Sequence, residues 1–196
     1  MPHMHPDQLT HHAKQIFKLI EFDENEDLIC EIRKHPFGLA IIYFVGTFVT
    51  LAMFIVMIIL MTISNGDPLE AGIELSGLRP IIILVGVLLI FITVVMTAIS
   101  AYLYRSDVVL VTSEKISQFL HITIFDRKIS QLSIGDVQDV TVTQKGIFAR
   151  VFNFGTLVIE TAGEQQNYTF MYTPDPYNRA KDIVGAHERN LVKYGN

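Results

Sequence analysis

The chain of 196 residues has one cysteine, Cys30, so no intrachain disulfide can form and no Cys-rich metal site is available. Charge is also scarce: Asp, Glu, Lys and Arg make up 18% of the residues while half are hydrophobic, which excludes a disordered polar chain. Basic groups are outnumbered, 15 Lys and Arg against 20 Asp and Glu, and the net charge of -5 gives bulk charge no bias toward nucleic acid or an anionic surface. No nucleic-acid partner is expected. Phosphate loops, dinucleotide fingerprints, Cys-x-x-Cys pairs and His-Glu-x-x-His helices are all missing. The chain is therefore expected to be neither an enzyme nor the carrier of a cofactor or metal.

What the chain does have is hydrophobicity in two blocks. Residues 37–63 contain no ionisable acid or base, and at about 1.5 Å per residue they make roughly 40 Å of helix. Residues 80–103 form a second uncharged block, opened by Pro80, which suits the first turn of a helix because its missing N–H is not needed there. The expected spans are 36–63 and 80–103. Both blocks are too long and too far from the N-terminus for a cleaved signal, so the chain is expected to insert uncleaved. Between them, residues 64–79 open with Asn65-Gly66-Asp67-Pro68 and carry Gly72 and Gly77, breakers that turn the chain into a hairpin. Arg33 and Lys34 precede the first span and Arg105 and Lys115 follow the second, against only Arg79 in the connecting loop. That bias puts both termini in the cytoplasm of a multi-pass inner-membrane protein, with Tyr102, Tyr104 and Arg105 at the inner interface.

The spans hold no Asp, Glu, His, Lys or Arg of the kind a carrier or proton pump needs. Their hydroxyls, Thr47, Thr50, Thr62, Thr93, Thr97 and Ser100, are expected to bond the carbonyl one turn back or to help the helices pack, together with small residues such as Gly46. In residues 1–35, Leu9, Ala13, Ile16, Phe17 and Ile20 mark the apolar stripe of a short helix, followed by an acidic run over 21–27. His3, His5, His11 and His12 are candidate metal ligands by residue type, but no scaffold or Cys/Asp spacing accompanies them, so no metal site is expected. Cys30, without a basic neighbour before Arg33, is expected to be an unreactive, half-buried thiol.

After the second span the period changes to alternation. Val108, Leu110 and Thr112 share one face and Val109 and Val111 the other; residues 115–122 and 127–132 follow as strands, and further alternation surrounds Val140, Leu157 and Tyr168. About six short strands are expected over residues 104–174, punctuated by Gly146, Gly155 and Gly163. Asp175-Pro176 then reads as an N-cap followed by proline at the first helical position. Tyr177, Ala180, Val184, His187 and Leu191 mark one face of a final helix reaching about Lys193. His121 and His187 are expected to be a satisfied strand residue and a helix-surface residue rather than catalytic groups.

Particular stretches carry a family resemblance. Thr112-Ser113-Glu114-Lys115, Phe125-Asp126-Arg127-Lys128, Val137-Gln138-Asp139-Val140, the run from Gly146 through Phe154 to Leu157, and Ile159-Glu160-Thr161-Ala162-Gly163 closely resemble motifs of bacterial pleckstrin-homology (PH) domain membrane proteins. The resemblance covers residues 105–185, and extends to Arg33-Lys34-His35-Pro36 and to the helical hairpin. Two places depart from it: Leu120-His121-Ile122-Thr123, where a glycine often precedes the turn, and Asn153, where a glycine is also frequent. It implies a membrane α-helical hairpin plus an α+β soluble domain: a PH-like barrel or sandwich of about six or seven antiparallel strands, capped by a C-terminal helix. The implied division is an N-terminal cytoplasmic segment over 1–35, spans over 36–63 and 80–103, an external loop over 64–79, and a cytoplasmic PH-like domain over 104–196. It names no ligand, because this fold hosts peptide, protein and lipid binding alike.

Formal charge divides as -3 over residues 1–35, -2 over 64–79 and zero over 104–196, which weakens a reading of acidic headgroups by charge alone. The four cations nearest strand turns, Arg127, Lys128, Lys145 and Arg150, are the candidate ligand- or partner-binding residues. The expected function is that of a non-enzymatic, membrane-anchored binding or scaffold protein, offering a sheet edge or the groove beside its last helix to a protein partner. The rival is a phospholipid-headgroup-binding module that uses those four cations; a hydrolase or metal enzyme is the remote third.

Overall fold

The computed structural model describes residues 9–10, 13–14, 26–63, 76–161 and 167–195. The chain divides into two compact units, Leu39–Tyr102 and the combination of Met1–Gly38 with Leu103–Asn196. The loop opening at Asn65, the N-terminal histidines, Ile16, Phe17, Ile20 and Gly163 lie outside the described residues.

The first of these units holds most of helix α1 (Pro36–Ile63) and of helix α2 (Arg79–Ser106), each 28 residues and so about 42 Å long, while the first three residues of α1 and the last four of α2 belong to the other unit. Both are long and apolar enough to cross a membrane. Helix α2 continues three residues past the expected limit, ending beyond Arg105, whose positive charge suits a helix C-terminus. The helices meet through small residues: a Cβ on Gly46 would strike the Thr97 side chain, and one on Gly86 would lie 2.8 Å from Met57 Sδ. Four of the six hydroxyls are satisfied within their own helix: Thr50, Thr62, Thr93 and Thr97 donate to the carbonyls of Gly46, Ile58, Leu89 and Thr93 at 2.8–2.9 Å. Outward, large side chains such as Phe44, Phe48, Leu84 and Phe91 stand more than 60% exposed.

The other unit contains two antiparallel sheets. Strands β1 (Leu28–Arg33), β2 (Val108–Thr112), β3 (Lys115–His121) and β4 (Arg127–Ser133) form one in that order; β5 (Val137–Thr143), β6 (Phe154–Thr161) and β7 (Tyr168–Pro174) form the other. Six strands fall where alternation placed them. The seventh, β1, was hidden behind the acidic run, and it ties the N-terminal segment into the sheet by pairing with β2 from Leu28↔Thr112 to Arg33↔Val108. Since β2 lies between β1 and β3, all five of its residues are buried. Its two faces serve different clusters, as the alternation implied. Val109 and Val111 join Ile32, Ile116, Leu157, Ile159 and Phe170 between the sheets, while Val108 and Leu110 pack with Leu9, Ala13, Leu28 and Phe119 on the opposite face. Cys30 is buried more deeply than expected, at 5% exposure, and that burial pushes its thiol up to about 11.

Helix α3 (Ile147–Val151) interrupts the connection between β5 and β6, where a loop was expected. Helix α4 (Pro176–Tyr194) closes the chain and packs on β5, β6 and β1. Its buried side chains are Pro176, Ile183 and Ala186, whereas Tyr177 and Val184 of the expected stripe are 60% and 40% exposed. The inward face is rotated because polar groups share it: Asn190 donates to Ser113 O at 3.2 Å, and His187 Nδ1 lies 2.7 Å from Ile134 O. His187 is thus anchored and half-buried rather than a surface residue. Asp175 occupies the cap position without a capping bond; it adopts a left-handed conformation, and its carboxylate accepts from the side chains of Asn178 and Asn153.

Candidate binding surface

One end of the sheets gathers every point where the chain leaves this unit for α1 or returns from α2. Strand β1 ends there at Arg33 and β2 begins there at Val108, so the ladders of the first sheet bring His121 and Arg127 to that end, and the contacts of His35 with Tyr172 and Phe154 set the Thr143–Phe154–Pro174 end of the second sheet beside it. The two crossings are clamped side by side. Lys34 forms an ion pair with Asp107 and sits 5.1 Å from the centre of the Tyr104 ring. Tyr104 donates its hydroxyl to His35 O at 2.7 Å, and Gly38 leaves room for that ring, because a Cβ there would collide with it. Asp107 accepts the His121 backbone N–H at 2.8 Å, which fixes the end of β3; the His121 Nδ1, 3.9 Å from the same carboxylate, has no hydrogen-bond partner. The side chain expected to be satisfied thus leaves its Nδ1 without a hydrogen-bond partner.

Aromatic rings make up the rest of this rim. Phe37, second residue of α1, stacks on Phe148, Phe152 and Phe154 with centroids 5.6, 5.2 and 4.9 Å away. His35 stacks on Phe154 at 5.2 Å, and its Nδ1 accepts the Phe37 N–H at 3.1 Å. Partial burial holds its pKa below the usual imidazole value, in keeping with a nitrogen that must stay unprotonated to accept. Three non-glycine residues with positive φ sit here: Asn153 at 50°, Tyr172 at 57° and Asp175 at 47°. They are locked by neighbours, His35 N–H donating to Tyr172 O at 2.6 Å and Asp175 N–H to Asn153 O at 2.9 Å. The left-handed backbone of Asn153 accounts for the glycine preferred at that place, asparagine being among the residues that tolerate it.

The four predicted cations fall into two exposed pairs on this rim. Arg127 and Lys128 begin β4; Lys145 and Arg150 flank and occupy α3. None of their side chains has an ion pair or hydrogen bond among the described residues. Sequence reasoning passed over the apolar side chains beside them. Ile147, Phe148, Val151 and Phe152 are 79%, 63%, 70% and 48% exposed, and their i, i+1, i+4, i+5 spacing was a helical signal too short to stand out. In the β3–β4 turn Ile122, Ile124 and Phe125 are also exposed, Phe125 at 97%. A cavity of 210 Å³ opens between the sheets, lined by Lys34, Asp107, Gln118, Phe119, Phe170 and Thr173. It is smaller than the roughly 300 Å³ at which small-molecule pockets begin.

Comparison with known proteins adds a family. The profile described as "Bacterial PH domain" matches residues 39–181, which takes in most of α1, all of α2 and strands β2 to β7. No curated protein matches the chain. A solved structure, a DUF1696 family protein with a pleckstrin-homology domain from Shewanella loihica PV-4, is similar over 41% of this chain and 70% of its own, at 13% identity and a TM-score of 0.34.

Proposed function

The chain belongs to the bacterial PH domain family, a membership that suggests a binding or scaffold module and indicates no enzyme, and on that premise we propose a membrane-anchored protein that recruits a protein partner. Helices α1 and α2 cross the inner membrane as a hairpin, with residues 64–79 outside. The PH-like domain over 104–196, completed by β1 from the N-terminal segment, hangs with both termini on the cytoplasmic side. The exposed apolar flanks of both helices support this anchoring, because patches of such extent are rare on surfaces facing water.

The observation that carries partner binding is the edge of β4. This strand pairs with β3 on one side only, and five of its seven residues are exposed. An extended segment added there gains main-chain hydrogen bonds without needing a distinctive side-chain motif, while Arg127 and Lys128 at its start favour an acidic sequence and discourage self-pairing. A photo-activated cross-linker placed at Gln131 in cells expressing the full chain is expected to capture a discrete protein, and one at Val158 on the central strand β6 to capture none. Repeated failure at Gln131 would overturn the reading.

A second reading, phospholipid headgroup binding, is supported by the position of Arg127, Lys128, Lys145 and Arg150 at the same end of the sheets. Replacing all four with glutamine in nanodisc-embedded protein is expected to erase any added thermal stability in anionic over neutral lipid. An undiminished difference would exclude this reading.

A further inference from the structure

Helix α3 displays apolar surface that the domain itself does not use. Among its five residues only Ala149 is buried, and Phe152 directly after it remains half exposed. A helix this short, held between Gly146 at φ 93° and Asn153 at φ 50°, keeps Ile147, Phe148 and Val151 pointed away from the core. Two features identify what covers them. The patch is continuous with α1, because the ring of Phe37 is packed against Phe148 and Phe152 and Phe37 is already within the apolar helix. The cations of its own segment flank it: Lys145 and Arg150 are exposed on either side, the nearby Asp175 being hydrogen-bonded to Asn153 and Asn178. An apolar face flanked by unpaired cations complements an anionic lipid interface, with hydrocarbon below and phosphate at the margin.

We infer that Ile147, Phe148, Val151 and Phe152 form a lipid-immersed foot that enters the headgroup–acyl boundary beside the start of α1, with Lys145 and Arg150 at the phosphates. The foot rests on the reading that α1 crosses the bilayer, and goes beyond headgroup binding by the four cations, since it places side chains in the hydrocarbon.

The native cysteine is buried and carries a raised pKa, so single added cysteines can be labelled selectively in the full chain. An environment-sensitive fluorophore is attached at Phe148→Cys, Val151→Cys, Ile55→Cys within α1, or Val192→Cys near the end of α4. Each protein is reconstituted into phosphatidylcholine vesicles with and without phosphatidylglycerol. Labels at 148 and 151 are expected to show blue-shifted emission, to lose intensity with brominated acyl chains and to resist aqueous iodide, while the label at 192 does the reverse. Iodide quenching at 148 and 151 with lipid quenching retained at 55 would overturn the foot alone. Loss of lipid quenching at 55 would overturn the anchoring and the foot with it. A label at 148 shielded from both quenchers would mean that protein, or a second copy of the chain, occupies the face, and would likewise overturn the lipid assignment.

Discussion

Replacing Ile183 with alanine should loosen the whole domain, whereas the same replacement at Val184, one residue along α4, should hardly be felt. Ile183 is fully buried and packs in the cluster that includes Cys30, Ile134, Leu157 and Ile159, while Val184 is 40% exposed. Truncating a buried isoleucine to alanine costs about 2–5 kcal/mol, the lost transfer energy plus the cavity left behind. A half-exposed valine costs within about 1 kcal/mol. Cys30 supplies the assay. Burial raises its thiol from an ordinary 9.0 to about 11, so the reactive thiolate is about a hundredfold scarcer than in an open chain, and the surrounding packing excludes reagent besides. Where closing is faster than labelling, the rate of Cys30 modification follows the population of the opened form. At about 1.4 kcal/mol per factor of ten, Ile183→Ala should accelerate labelling about thirtyfold or more, and Val184→Ala less than about sixfold. Equal acceleration by the two variants, or the larger effect at Val184, would show that the apolar stripe Tyr177–Ala180–Val184 faces the core after all and would refute the packing of α4 described here.

Two further outcomes follow from the rim. A Cβ at Gly155 would lie 2.8 Å from the backbone oxygen of Thr143 and 3.0 Å from Pro176 Cγ, so Gly155→Ala should cost about 1–3 kcal/mol in detergent melts, while Gly77→Ala, with open space around it, should cost far less. His35 has a folded pKa below its ordinary 6.5, so the folded state binds fewer protons than the unfolded one, and its contribution is present above that value and declines as pH falls through it. The melting temperature of the full chain should therefore drop between pH 7.5 and pH 5, and His35→Asn should flatten that slope; an unchanged slope would exclude His35 as its source.

Charge shows how little composition says about the layout of a surface. Over residues 104–196 the formal charge is zero, which argued against lipid headgroups. Folding sorts those charges in space, bringing Arg127 and Lys128 to the same end of the sheets as Lys145 and Arg150 while Glu114 goes to the opposite end with Lys193. A local field depends on such placement, and sums over a sequence do not contain it.

Both apolar helices, six of the seven strands and the final helix were legible in the chain, because each rests on a periodicity that neighbouring residues carry by themselves: unbroken apolar runs, alternation, or a proline at a helix start. Partnership across long separations was not. Strand β1 is recognisable only once β2, some 80 residues later, completes its ladder, and the inward face of α4 depended on polar groups whose partners, Ser113 and Ile134, lie far away in sequence. The rim is the extreme case. Phe37, Tyr104, Asp107, Phe148 and Tyr172 acquire a common role only when tertiary contacts bring them together, since local pattern reports which side of an element is apolar and says nothing of what that side will meet.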